Sequence, residues 1–467
     1  MTEPMSMVSE MALESTIDDG GQHDEGQKKF VMALGLLLFL LLSVGAVSIV
    51  HFTTEVDVSS PMDDNLLSDI PSGPSGTVVG PRKTEATAPP VTTSPTPDSF
   101  EEPAGTPRVQ PKPLEMTPHE DVLLCTVSSR VYAALHDLED GICTLVFYTA
   151  AHYDRGAKDF RGAYDEYSFD TFRTWTKSKG GNSRTGYGVS FDYVDAEAAY
   201  NVLKTPDGKN KFSKMWNDII YHYGLLHVWE SADELKANNA RLKLLSEIKS
   251  RQDALGSNKN GHRVIGFQFQ AAHDLDKFND VISYLQSQYP ITILITITHL
   301  FKIPPNSFSM GPSEWESHHA HSMNEALKKL KATTISGTVT AIPSFTMAAI
   351  SWKTTSTWDA TRPNWQTTYS TPVLYSQVCD NLIQQKPVFS PSTMHMYTGW
   401  PSNKDLITFD TADTMLAKMQ MYFAAFDPLP KKHGWALYDV DYDDYINNCS
   451  LGSAFVRLKV IKQYLVF

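Results

Sequence analysis

Two short segments place an indole beside groups that do chemistry on neutral, hydroxylated ligands. His227-Val228-Trp229-Glu230 closes one apolar run, and Gly434-Trp435 opens another. An indole face stacks on the C–H surface of a pyranose. A carboxyl placed in an apolar pocket holds its proton toward neutral pH and serves as a general acid. On the residues alone the opposite reading stands equally: the tryptophans as core or rim side chains, and Glu230 solvated or salt-bridged. Trp315 and Trp352 are further aromatic candidates, with anchoring of loops as their simpler role.

A second cluster, Glu314, Glu316, His318, His319 and His321 within GPSEWESHHAHS, carries metal-ligating side chains. Closely spaced His and Glu in a polar loop are more often a solvated stretch, so no metal site is assigned without a tetrahedral arrangement to support it. No cofactor is predicted. With 40 Lys+Arg against 53 Asp+Glu and a net charge of −13, the chain lacks the basic excess that clamps phosphates, which argues against nucleic acid as a partner.

From about residue 121 onward the sequence alternates short apolar runs with helical patterns, the signature of βα units. Eight candidate strands cover 122–128, 142–149, 186–192, 225–230, 263–270, 290–298, 338–345 and 434–438. Between the third and fourth, Phe212, Met215, Trp216, Ile219, Ile220 and Tyr223 recur at helical spacing. Eight such units in about 350 residues predict an α/β fold, a (β/α)8 barrel with insertions, in which chemistry belongs at the C-terminal ends of the strands.

The segment before the barrel predicts a tether. Residues 30–50 contain no charged side chain, and 21 residues at helical rise span the roughly 30 Å hydrocarbon core of a bilayer. Lys28 and Lys29 precede the span and no Lys or Arg follows until Arg82, which places the N-terminus in the cytoplasm. The apolar run exceeds the roughly 7–15 residues of a cleaved signal, so an uncleaved single-pass type II anchor is expected. The organisation is then an acidic cytoplasmic tail (1–29), a transmembrane signal anchor (30–50), a Pro/Ser/Thr-rich stalk (51–115) and the barrel domain (116–467). The barrel is expected to be extracellular or lumenal. Cys125, Cys143, Cys379 and Cys449 all follow the stalk, and an even count in an oxidising compartment allows two disulfides with three possible pairings. Asn448-Cys449-Ser450 fits a glycosylation sequon.

Several segments, in order, resemble family 18 glycoside hydrolases, the chitinases and chitinase-like lectins. LLCTVSSR and GICTLVFYTAAHYD resemble the first two strands of that family. KFSKMWNDIIYHYGLLHVWE resembles the helix and fourth strand that carry the Asp-Gly-x-Asp-x-Asp-Trp-Glu signature. TVTAIPSF resembles the seventh strand, and LYSQVCDNL, LITFDTADTMLAKMQMYFAA and HGWALYDVDYDDYINNC resemble the closing third. Coverage runs from Asp121 to Phe467. The resemblance implies disulfides Cys125–Cys143 and Cys379–Cys449, and a small α+β insertion between the seventh and eighth strands.

By that resemblance the reaction is substrate-assisted: a Glu protonates the glycosidic oxygen while an Asp two residues earlier orients the N-acetyl group that attacks the anomeric carbon, assisted by a Tyr of the sixth strand. Laid on residues 223–230, the signature keeps Gly224, Trp229 and Glu230 and replaces its aspartates by Tyr223, Leu226 and Val228. The sixth strand, ILITITHL, offers no Tyr. A second register, 187–194, keeps Gly188 and Asp192 but lacks the Trp and Glu and is read as the third strand. Loss of each pre-organised group slows such a reaction about 10²- to 10³-fold. The resemblance therefore implies a catalytically inactive binder of chitin or N-acetylglucosamine oligosaccharides, with Glu230 a vestigial acid, Trp435 the floor of the sugar cleft and Trp229 a further contact. The alternatives are a weak glycosidase acting through Glu230 alone, and a protein-binding scaffold or receptor whose sugar cleft is closed.

Overall fold

The computed structural model describes residues 121–466 apart from 129–130, 164, 181–182, 238, 257–260, 271, 303–308, 318–321, 356–366, 383–385, 400–404 and 426–432. The predicted tail, anchor and stalk lie outside the described residues. Among the described residues no helix is long and apolar enough to cross a membrane.

Eight parallel strands close on themselves. We label the barrel strands β1 (Val122–Val127), β2 (Leu145–Asp154), β3 (Gly186–Phe191), β4 (Ile220–Glu230), β5 (Arg263–Phe269), β6 (Ile293–Thr296), β7 (Thr340–Thr346) and β8 (Gly434–Tyr438). Each pairs with the next, and β8 returns to β1 through Val122 opposite Gly434 and Cys125 opposite Leu437. The segment 187–194 falls on β3, as the order of elements predicted.

These sequences make barrel strands because both of their faces are buried. Inward residues Leu124, Phe147, Leu226, Val264, Ile295, Ile342 and Ala436 fill the lumen. Outward residues such as Cys125, Val146, Val189, Leu225, Ile265, Phe345 and Leu437 join a larger core beneath the helices. Helix starts are locally encoded. Thr205 accepts the Gly208 N–H and is followed by Pro206 at the first helical position, and Ser322 accepts the Glu325 N–H at the start of Met323–Ala332.

The boundary before β4 shifts. The helix before β4 ends at Asn217, capped by Asp218, and Ile219 adopts a left-handed φ of 70°. Ile220 and Tyr223 therefore belong to the strand rather than to the helical face assigned from spacing; β-branched and aromatic residues in succession suit a buried strand better than a helix end.

The predicted α+β insertion between β7 and β8 is present. A five-stranded antiparallel sheet runs in the order Thr367–Val373, Ala349–Thr354, Asp405–Phe409, His395–Gly399, Val388–Ser390, with helix Tyr375–Leu382 within it. Helix Ala412–Ala425 returns to the barrel and places Met415, Met419 and Tyr422 in the outer core. Both implied disulfides, Cys125–Cys143 and Cys379–Cys449, are formed.

Candidate functional site

The mouth of the barrel is shaped by an irregularity in β4. Tyr223, Gly224 and Leu225 pair in register with Arg263, Val264 and Ile265, but the next partners are Val228 with Phe267, Trp229 with Gln268 and Glu230 with Phe269. Three steps on β4 oppose two on β5, which is a β-bulge, and an extra residue reverses the facing of everything beyond it. Leu226 fills the lumen, whereas Val228 lies in the outer core. His227 turns inward, its ring 4.7 Å from Phe301 and 5.4 Å from Tyr438.

Glu230 therefore leaves the mouth. Its Oε1 accepts from Arg241 Nη1 at 2.8 Å, on helix Asn239–Leu255, and the same guanidinium lies 5.0 Å from the Tyr193 ring centroid. Burial raises the Glu230 carboxyl above its ordinary range, neighbouring Glu234 adds to the rise, and Arg241 opposes it. The expectation of a vestigial acid is corrected on this geometry: the raised carboxyl is present, but its partner sits on the helix layer. Trp229 remains half-buried at the rim, with Lys302 Nζ 4.3 Å from its ring centroid, a cation–π contact.

Trp435 is also corrected. It is fully buried in the outer core, stacked on Phe345 at 4.8 Å and met edge-on by Tyr422 at 5.0 Å. Strand alternation explains this: Trp435 and Leu437 share the outer face of β8, while Ala436 and Tyr438 face the lumen. The inward aromatic at the end of β8 is Tyr438, which sequence reasoning missed although its place three residues after Trp435 puts it on the opposite face.

Tyr438 is the centre of a polar cluster. Its hydroxyl donates to Leu226 O at 2.8 Å, and the His299 ring lies 4.5 Å away. His299 Nδ1 lies 2.8 Å from Ser344 Oγ, Thr298 Oγ1 donates to Ser344 O at 2.6 Å, and Gln268 Nε2 donates to His299 O at 2.9 Å. Room for the Tyr438 hydroxyl comes from Gly266, where a Cβ would lie 2.5 Å from it. Burial lowers His227 to about 4, and lowers His299 to about 3 with His227 adding to the effect, so both rings are neutral at pH 7. Asp439, directly after β8, is pushed up to about 6 by burial, opposed by its bond from Thr346 and raised further by Asp441.

The aspartates that follow are structural. Asp441 accepts from the Ser128 N–H and hydroxyl, Asp443 from Arg457, and Asp444 from the N–H groups of Asn448 and Cys449. Asn448 is exposed, and its Nδ2 donates to Ser376 O at 3.4 Å. Trp315 and Trp352 are buried; Trp352 Nε1 donates to Thr408 Oγ1 inside the insertion sheet. Of the acidic and histidine-rich loop, Glu314 accepts from the Gly311 N–H at 2.7 Å and Glu316 from Asn324 Nδ2, while His318, His319 and His321 lie outside the described residues. Among the described residues no group of three or more ligating side chains gathers.

A cavity of about 10 Å3, near the smallest volume that holds one water, is lined by Gln268, Thr298, His299, Leu300, Met310, Gly311, Glu314 and Ser317. The inward residues of β4 beyond the bulge, His227 and Trp229, supply no carboxylate to protonate a glycosidic oxygen or orient an N-acetyl group. The arrangement is suited to stacking and hydrogen bonding.

No protein-family model matches the chain, and no curated protein matches it. Solved structures do. The immunomodulatory active chitinase TsES1 of Trichuris suis aligns over 74% of this chain and all of its own, at 12% identity and a TM-score of 0.54. The Ostrinia furnacalis Group IV chitinase in complex with allosamidin covers 74% of this chain and 99% of its own, at 14% identity and 0.53. Human YKL-39, described as a pseudo-chitinase with retained chitooligosaccharide binding, covers 74% and 99%, at 11% identity and 0.52. At these identities the likeness establishes the fold: this chain carries a TIM barrel of the kind found in chitinases and chitinase-like proteins.

Proposed function

We propose that this protein is a membrane-tethered, catalytically silent chitinase-like protein whose barrel mouth recognises chitin or N-acetylglucosamine oligosaccharides. The observation that carries the silent reading is the β4 bulge, which turns Glu230 onto Arg241 and leaves Leu226, His227 and Trp229 where a hydrolase of this fold needs carboxylates. Saccharide as the ligand class is supported by the half-exposed Trp229, by hydroxyl, amide and imidazole groups crowding the mouth, and by a pseudo-chitinase of the same fold that retains such binding. The charge-free span 30–50 supports type II tethering with the barrel extracellular or lumenal, and the exposed sequon at Asn448 supports a glycan in that compartment.

The test is calorimetric titration of full-length protein in detergent with a soluble chitin pentamer, beside a turnover assay on a soluble N-acetylglucosaminide. Binding without turnover, abolished by Trp229→Ala, is the expected result. Turnover comparable with an active chitinase overturns the silent reading. A second reading, a protein-binding scaffold with a closed cleft, is favoured by the burial of Trp435. Absence of any heat with the pentamer from folded protein selects that reading.

A further inference from the structure

Asp439 stands apart from the other aspartates of its segment. Its backbone is left-handed, φ 57° and ψ 45°, a region that Asp tolerates better than most residues but still at some energetic cost. Two threonines hold it there. Its N–H donates to Thr126 Oγ1 at 3.0 Å, and Thr346 Oγ1 donates to its Oδ2 at 2.7 Å.

Thr126 lies two residues beyond inward Leu124 on β1, and Thr346 four beyond inward Ile342 on β7, so both share the lumen-facing side of their strands. The Asp439 carboxylate thus sits at the C-terminal end of the barrel, next to Tyr438, where this architecture builds its sites. Asp441, Asp443 and Asp444 are fully buried and engaged by Ser128, Arg457 and backbone N–H groups. Asp439 is only half-buried, and its Oδ1 has no partner among the described residues. A strained residue, locked from two strands and presenting an unused acceptor at the barrel mouth, is built to meet something outside.

We propose that Asp439 is the polar anchor of the ligand at the mouth, its carboxylate accepting hydrogen bonds from the hydroxyl and amide N–H groups of an N-acetylglucosamine oligosaccharide. This rests on the saccharide reading above and adds its specificity-determining contact. The ionised carboxylate is the stronger acceptor. Asp441 faces Asp439 from the following turn, Tyr438 adjoins it, and His299 and His227 lie across Tyr438 from β6 and β4; Thr126 and Thr346 are neutral. Both histidines stay uncharged between pH 5 and 7.5, since burial holds them at about 3 and 4. With Asp439 at about 6, affinity is full above about pH 7 and declines as pH falls through 6.

The experiment is titration of full-length protein in detergent with a chitin pentamer from pH 5 to 7.5, for wild type, Asp439→Asn and Thr346→Val. Asn accepts the left-handed backbone and matches Asp in size. Asp439→Asn is expected to weaken binding on the order of 10-fold or more at pH 7.5 and to flatten the pH profile. Thr346→Val leaves the carboxylate but removes the bond that lowers its pKa, so its pH midpoint moves upward. Wild type that does not bind the pentamer overturns the saccharide reading itself. Wild type that binds, with Asp439→Asn equal in affinity and in pH profile, overturns the anchor while leaving that reading in place. Should Asp439→Asn fail to fold, an unshifted midpoint in Thr346→Val overturns the anchor.

Discussion

The packing of Gly266 against Tyr438 gives a prediction whose size follows from the structure. A Cβ at Gly266 would lie 2.5 Å from the Tyr438 hydroxyl and 2.8 Å from Leu226 O. Both distances are below van der Waals contact, but they differ in kind. The hydroxyl is the end of a side chain and can be displaced, whereas Leu226 O is backbone in a closed sheet. In Gly266→Ala the hydroxyl must leave, and its 2.8 Å bond to Leu226 O is lost in a buried site. Overpacking of a core contributes about 1–3 kcal/mol and an unsatisfied buried group about 1–3 kcal/mol more. The reduced freedom of the unfolded chain returns about 0.4–1 kcal/mol. The variant should lose about 1–5 kcal/mol, read as a lower urea midpoint at unchanged m-value. Tyr438→Phe alone loses only the hydrogen bond, about 1–2 kcal/mol. In the double variant the hydroxyl clash is gone and its bond was already forfeited, so it should be more stable than Gly266→Ala, though the backbone contact prevents full recovery. A double variant no more stable than Gly266→Ala, or a Gly266→Ala as stable as wild type, refutes the assignment of Tyr438 to the lumen.

Glu230→Gln should leave N-acetylglucosaminide turnover at the wild-type background level while lowering thermal stability modestly, because its partner is Arg241 and not a substrate; a measurable loss of turnover shows the reverse. Lys418 and Asp410 are a fully buried pair at 2.5 Å, and Lys418 also donates to Ser313 O. Lys418→Met leaves Asp410 uncompensated and should destabilise by about 3–5 kcal/mol in urea unfolding, with much of this regained in Lys418→Met/Asp410→Leu. His227 and His299 have folded pKa values of about 4 and 3, below the ordinary 6.5 of an unfolded histidine. The unfolded chain therefore binds more protons below about pH 6.5, and stability falls as pH drops from 6.5 toward 4. His299→Gln should make that decline shallower in urea midpoints measured at pH 7 and pH 5, and an unaltered slope counts against burial of the ring.

What the sequence disclosed, and what it withheld, divides along one physical line. Each of the eight barrel strands overlaps a run picked out by apolar content, because a strand buried on both faces must be apolar throughout. That same property hides which face a residue occupies. Trp435 and Tyr438 are both aromatic and both on β8, and only the alternation of Leu437 and Ala436 between the outer core and the lumen separates them. The bulge in β4 is quieter still: nothing in GLLHVWE announces an extra residue, since Leu226 and Val228 suit either side. Strand pairing of Leu225 with Ile265 and of Val228 with Phe267 reveals it. The disulfides were implied by resemblance, whereas the anchoring roles of Asp441, Asp443 and Asp444 depend on partners as distant as Ser128 and could not be read locally.

The bulge also explains how an apolar lumen coexists with a carboxylate on β4. A carboxylate aimed into the lumen must be hydrated or paired, and this lumen is lined by Leu226, Ile295, Ile342 and Val264, with Tyr438 sealing its upper end. Leu226 avoids that burial penalty by being apolar. Glu230 escapes the same penalty by facing: one extra residue turns it to the helix layer, where Arg241 supplies the counter-charge at 2.8 Å. A one-residue slip of β4 against β5 that removed the bulge without shortening the strand would point Glu230 into the mouth and set Val228 toward the lumen, whereas deleting one residue of the bulge would keep Val228 opposite Phe267 and leave Glu230 facing Arg241. In the slipped register β4 would carry one carboxylate with Val228 two residues before it, and the Arg241 guanidinium would be left without its partner. Two carboxylates at the end of this strand would thus require both a register change and a substitution at position 228. Neither alteration alone supplies the pair.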